Sequence, residues 1–146
     1  MIAALLAGLG LPRLGGAETR SPGGSASDNL ELLARVVTGE AQDEPYTGKV
    51  AVAAVILNRT HDSKFPGTVS GVIFQPGAFE SVSNGLIWSR PVDPASRKAV
   101  QDALNGWDPT NGAVFFFNPD KTTNAYMWSL PQTLRIGKHV FSLGQR

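Results

Sequence analysis

The stretch "LLARVVTGEAQDEPYTGKVAVAAVILNR", residues 32–59, limits the fold more than any other part of the chain. Its second half, "VAVAAVILN", is apolar on nearly every side of a helix. Such a segment is stable in water only when the rest of a domain covers it. The run could also be read as a buried strand, but its length and its alanines favour a helix. We therefore read a central buried helix from about Gly48 to Arg59, with Thr47 as its cap.

The first half of the stretch is amphipathic. Leu33, Val36, Val37 and Glu40 recur at the spacing of one helical face. A glutamate that continues an apolar stripe loses water, and desolvation disfavours its charged form, which suits a proton donor near neutral pH. On the residues alone a second reading stays open, in which Glu40 lies at a frayed helix end and faces solvent. Glu44 directly precedes Pro45, and the residue before proline avoids the helical region. It is expected in a loop, with a structural role, bonding backbone amides at the start of the second helix.

Elsewhere the chain is well punctuated. "MIAALLAGLGLPRLGGAETR" holds an apolar run of signal-peptide length, with small residues at Gly15, Gly16 and Ala17 where a peptidase would cut. Residues 1–17 are read as a signal peptide, which implies export, and 18–28 as a flexible Gly/Ser/Pro linker. The folded domain is expected over residues 29–146, with Asp28 or Asn29 capping its first helix. A short helix should begin near Thr68, and residues 75–92 should form a long ordered loop. In "DPASRKAVQDALNG", Asp93 caps a helix, Pro94 opens it and Gly106 ends it. "AVFFFNP" and "KHVFS" read as two strands paired as a hairpin around the loop that carries Tyr126 and Trp128. The fold class is α+β and mainly helical.

Composition removes several chemistries. The net charge is +1 with basic residues scattered, which gives nucleic acid no footprint. With no cysteine in the chain, disulfides, thiolate catalysis and Cys-bound metal are excluded. The two histidines, His61 and His139, stand in no zinc-binding spacing, and neither a nucleophile elbow nor a phosphate loop is present. We expect no metal and no cofactor. Glu80, after Phe79 in the long loop, is the candidate for a second carboxylate. One helix-borne glutamate among loop aromatics suggests glycoside chemistry, because aromatic rings stack on sugar faces.

Taken in order, "LLARVVTGEAQDEPYTGKVAVAAVILNR", "FPGTVSGVIFQPGAF", "ALNGWDPTNGA", "FFFNP" and "IGKHVF" resemble the spore cortex-lytic cell-wall hydrolase family of the SleB type. The resemblance runs from about Leu32 to Phe141. It implies a lysozyme-like fold related to lytic transglycosylases and resuscitation-promoting factors, with Glu40 as the catalytic acid and Glu44 as the second glutamate of the same motif. The implied reaction is cleavage of the β-1,4 bond between N-acetylmuramic acid and N-acetylglucosamine, giving a 1,6-anhydro end. The implied substrate is cortex peptidoglycan containing muramic δ-lactam, cut during germination, with the enzyme exported to the spore cortex, the inner-membrane region or the cell wall. A hydrolytic muramidase using Glu80 or a positioned water, and a non-catalytic peptidoglycan-binding protein, are the alternatives.

Tyr46, Gln75, Phe79, Asn118, Tyr126, Trp128 and His139 lie in the matched motifs or their flanking loops and are expected in the substrate groove. A monomer is expected, with an accessory protein in the spore as a further partner. One departure concerns Gly39, which takes the place of the small or amide residue usual before the glutamate. A glycine at a helix end costs about 1 kcal/mol relative to alanine.

Overall fold

The computed structural model describes residues 24–145. The segment read as a signal peptide lies outside the described residues, as does residues 18–23 of the linker. The observed fold is α+β and mainly helical, with one small antiparallel sheet.

Helix α1 spans Ala26–Ala41 and begins earlier than the cap residues Asp28 or Asn29 would place it. Ser25 is the cap: its hydroxyl accepts from Asp28 N at 3.1 Å, and the Asp28 carboxylate accepts from Ser25 N at 3.3 Å. This reciprocal box satisfies two otherwise free amides. It also corrects the linker, whose last three residues are helical. Leu33, Ala34, Val36, Val37 and Ala41 form the buried face.

Helix α2, Tyr46–Thr60, is the central element, and Gly48 to Ile56 are all buried. Pro45, not Thr47, occupies its cap position, since proline's fixed φ suits the entry to a helix. The last turn of α1 has no basic residue of its own. Lys49 of α2 supplies the charge, donating to Ala41 O at 2.8 Å and Gln42 O at 2.7 Å, and pairing with Asp93 Oδ2 at 3.1 Å. A cation at a helix C-terminus satisfies carbonyls that the helix leaves free.

Helix α3, Val69–Ile73, starts after Thr68 as expected. The long loop contains two single-turn helices, α4 (Glu80–Ser83) and α5 (Leu86–Ser89). Helix α6, Pro94–Leu104, carries Asp93 as its cap and packs across both α1 and α2.

Strand β1 is Phe115–Phe117, helix α7 is Ala125–Ser129, strand β2 is Gln132–Ile136 and strand β3 is His139–Ser142. The sheet order is β1-β3-β2. The expected hairpin therefore joins different partners: β3 turns back on β2 through residues 137–138, and β1 pairs with the other side of β3. Phe141 is fully buried and faces Phe116 across the β1–β3 pair. It ties the sheet to the helices, burial of such a ring being worth about 2–3 kcal/mol.

The connection from α6 to β1 is organised by one carboxylate. Asp108 accepts from Thr110 N (2.7 Å), Thr110 Oγ1 (2.6 Å), Gly112 N (2.9 Å) and Asn58 Nδ2 (2.9 Å). Desolvation alone would raise the Asp108 carboxyl, but these donors hold it below its ordinary 3.8. Asp93 is also held below 3.8, its own desolvation being outweighed by Lys49, Ser96 and the Ala95 amide. A carboxyl depressed in the fold binds fewer protons than in the unfolded chain. Its stabilisation is complete above 3.8 and is lost as pH falls through the lower, folded value. Urea unfolding measured from neutral to acid pH is expected to show this decline, and Asp108→Asn should flatten it. Parallel acid limbs in the two proteins would count against Asp108.

Candidate active site

Glu40 is the penultimate residue of α1 and is partly buried. Its Oε2 accepts from Ser81 N, in the first turn of α4, at 2.8 Å. Gly39 makes this contact possible. A β-carbon there would lie 2.5 Å from Ser81 Cβ and 2.8 Å from Ser81 Oγ. The glycine that looked costly by helix propensity is the opening that admits α4 against α1. Gly39→Ala is accordingly expected to destabilise the fold by about 1–3 kcal/mol, outweighing the helix-propensity gain of about 1 kcal/mol, and to pull Ser81 N off Glu40. Urea unfolding tests the first part and glycan-cleavage rate the second. A more stable variant would show that α4 yields freely.

Glu40 opens into a cleft of about 430 Å³ between the helices and the sheet. Ser81, Asn84 and Arg90 line one wall, Asn118 and Lys121 the other, with Phe116 and His139 from the sheet. A smaller hollow of about 190 Å³ continues past Glu40, sharing Arg90, Asn118, Lys121 and His139 and adding Glu44 and Lys138. A larger hollow of about 690 Å³ runs along α6, but Glu40 does not line it, so the chemistry and not the size locates the site. Among the described residues no group of three or more His, Cys, Asp or Glu is placed to hold a metal ion.

The expected groove residues divide. Asn118 and His139 line the cleft with Glu40, and Glu80 stands exposed on the same wall as Ser81. Phe79 is only 3% exposed and packs on Phe116, ring centroids 6.4 Å apart, so it backs the cleft from inside the core. Trp128 lies edge-on to Phe117 at 5.1 Å and donates from Nε1 to Thr122 O at 3.1 Å, supporting two cleft-lining residues from behind. Tyr126 packs on Phe115 and lines a separate hollow with Phe65 and Lys64. Gln75 is exposed in the turn after α3. Tyr46 points at α6, where its hydroxyl donates to Asp102; burial and that bond push the phenol up to about 12.

Glu44 bonds a backbone amide, but not at the start of α2. Its Oε1 accepts from Lys138 N in the β2–β3 turn, at 2.9 Å. The β2–β3 turn closes on the carboxylate instead, with Gly137 leaving room for Glu44 Oε1 where a β-carbon would stand 2.5 Å away. Burial pushes the His139 imidazole below its ordinary 6.5, against the pull of Glu44 and then Glu40, with Lys121 and Lys138 adding to the lowering. His139 is therefore neutral at neutral pH.

Ser81, Arg90, Lys121 and Lys138 were not singled out from the sequence. Ser81 sits in the single-turn α4 and the other three in loop or turn positions, all polar residues of ordinary surface type, and the one local hint was Gly39, which admits a close neighbour.

A mainly helical α+β domain that holds a partly buried helix-end carboxylate in a polar cleft has the layout of an enzyme domain. Residues 43–142 match the family model described as Cell Wall Hydrolase. The chain is 54% identical over 120 residues to a spore cortex-lytic enzyme of Oceanobacillus iheyensis, covering 82% of this chain and 43% of that protein. It is 31% identical over 124 residues to the cell wall hydrolase CwlJ of Bacillus subtilis, covering 80% of this chain and 86% of that protein. Among solved structures, the catalytic domain of the germination-specific lytic transglycosylase SleB from Bacillus anthracis superposes with a TM-score of 0.77 at 49% identity, covering 84% of this chain and 99% of that one. The SleB catalytic domain from Bacillus cereus gives the same TM-score at 50% identity, covering 88% and 99%. The chain belongs to the cell wall hydrolase family. It spans less than half the length of the spore cortex-lytic enzyme it matches, and nearly all of the two solved catalytic domains.

Proposed function

We propose that this domain is a lytic transglycosylase that cuts the β-1,4 bond between N-acetylmuramic acid and N-acetylglucosamine in spore cortex peptidoglycan. The observation that carries the reading is Glu40: one partly buried carboxylate, fixed by Ser81 N at 2.8 Å, in the cleft of a domain about half identical to SleB catalytic domains. Protonated Glu40 donates to the glycosidic oxygen, the bond from that oxygen to muramic C1 breaks, and an oxocarbenium-like centre forms at C1. The Glu40 carboxylate then takes the proton of the C6 hydroxyl as O6 bonds to C1. The 1,6-anhydro ring closes, Glu40 is protonated again, and no water is consumed.

Glu80, on the wall beside Ser81, is the specific feature that favours the second reading, a muramidase in which water takes the place of O6. Mass spectrometry of soluble fragments from purified cortex peptidoglycan separates the two. Fragments ending in 1,6-anhydromuramic acid are expected, and ordinary reducing ends would establish the hydrolytic route instead. Action on the cortex is supported by the names of the relatives, and export and an accessory protein belong to the same proposal.

A further inference from the structure

The β2–β3 turn is built around a buried carboxylate. Glu44 is 9% exposed; its Oε1 accepts from Lys138 N at 2.9 Å and lies 3.5 Å from His139 Nδ1. Gly137 enters the turn at φ 55°, and a β-carbon there would stand 2.5 Å from that same oxygen. The turn can therefore close on Glu44 only through a residue without a side chain. One residue further on, the His139 ring packs on Phe116, centroids 4.9 Å apart, and edge-on to Phe141 at 6.3 Å. Its Nδ1 is buried and, at the distance and angle Glu44 offers, makes no hydrogen bond. The ring meanwhile lines both hollows that flank Glu40.

A buried ring nitrogen beside a carboxylate oxygen is stable as an N–H and repelled as a lone pair. A neutral imidazole with its proton on Nδ1 carries the lone pair on Nε2. We propose that Glu44 fixes His139 as the Nδ1–H tautomer, so that Nε2 offers a hydrogen-bond acceptor to an amide N–H or hydroxyl of the glycan beside Glu40. Glu44 is thus a positioning residue that acts through His139. The proposal rests on the reading of the cleft as a glycan site. The charged groups that bear on the ring are Glu40 from α1, Glu44 from the α1–α2 loop, Lys121 from the segment after β1 and Lys138 from the turn, with Asp43 and Arg90 lining the same smaller hollow.

Long-range proton–nitrogen NMR of the labelled full chain, at about pH 8, reads the tautomer directly. The chain has two histidines, and the His61→Gln variant assigns them. The Nδ1–H pattern is expected for His139. Glu44→Ala, which removes the oxygen that faces Nδ1, should shift His139 toward the Nε2–H form. Soluble peptidoglycan fragments added to the Glu40→Gln protein should then move the Nε2 resonance. In kinetics, His139→Phe, which keeps the ring packing, should raise KM about tenfold with a smaller change in kcat.

An Nε2–H tautomer in the unmodified protein, or an unchanged KM in His139→Phe, overturns the proposal. So does an unmoved Nε2 while the Asn118 side-chain amide responds to the glycan, which would leave Glu44 as a clamp for the turn and the glycan reading intact. If neither Nε2 nor Asn118 responds, the glycan reading falls and the proposal with it.

Discussion

Replacing Glu40 with glutamine is expected to slow glycan cleavage by about a thousandfold while leaving the fold intact. The amide oxygen of glutamine can still accept from Ser81 N, so the contact between α1 and α4 survives, and Gly39 still admits Ser81. What is lost is the proton. A neutral amide cannot protonate the leaving oxygen or later take the proton of the C6 hydroxyl, so both halves of the reaction fail together. Release of soluble fragments and urea unfolding, measured side by side, distinguish this from damage to the fold. A variant within tenfold of the unmodified rate would remove Glu40 from the chemistry and direct attention to Glu80, the other glutamate on that wall.

The second large effect concerns stability. Arg59 closes α2 at its C-terminal end and is only 7% exposed. Its Nε donates to Val114 O at 2.7 Å, and its guanidinium lies 4.8 Å from the ring centroid of Phe65, 5.2 Å from Phe115 and 5.5 Å from Phe79. Among the described residues no carboxylate pairs with it. Desolvation pushes the guanidinium down to about 10, a measure of how thoroughly water is excluded, yet it stays charged at neutral pH. Three aromatic faces take the place of a counter-ion.

Arg59→Ala would leave a cavity among those rings and a buried Val114 carbonyl without its donor. We expect a loss of about 3–4 kcal/mol in urea unfolding. Arg59→Lys should fall between, because an ammonium keeps the charge but not the flat face that stacks on rings. A loss below about 1 kcal/mol for Arg59→Ala would mean that the rings close over the gap unaided.

Much of the helical half was legible because its signals are local. Asp93 before Pro94 and Thr68 before "VSG" announce helix starts, and "VAVAAVILN" can hardly be anything but a buried element. Ser25 was missed because a capping serine inside "GGSAS" has the composition of a linker. Strand β2 was missed for a different reason: "QTLRI" is an edge strand, half exposed without clean alternation, and its pairing slips between Gln132 and Leu134. Nothing in its own residues marks it.

The candidate site was legible in one residue and obscure in its surroundings. Glu40 follows from the stripe of α1, but its neighbours come from α4, the segment after β1 and the β2–β3 turn, which only the tertiary fold brings together. Aromatic residues misled for the same reason. Phe79 has the character of a sugar platform in sequence and is a core residue behind Phe116, because a ring can serve either end and only burial decides.

The cleft has one further property. Glu40 and Ser81 stand on helices and Arg90 just past the end of α5, whereas Phe116, Asn118, Lys121 and His139 belong to the sheet or its margins. The groove is the seam between two layers, not a dent in either. Its width and the docking of one layer on the other are therefore a single mechanical variable. Under the proposed glycan reading, a polysaccharide touching both walls would act as a splint across that seam, and by linkage whatever tightens the seam would tighten the grip on the strand.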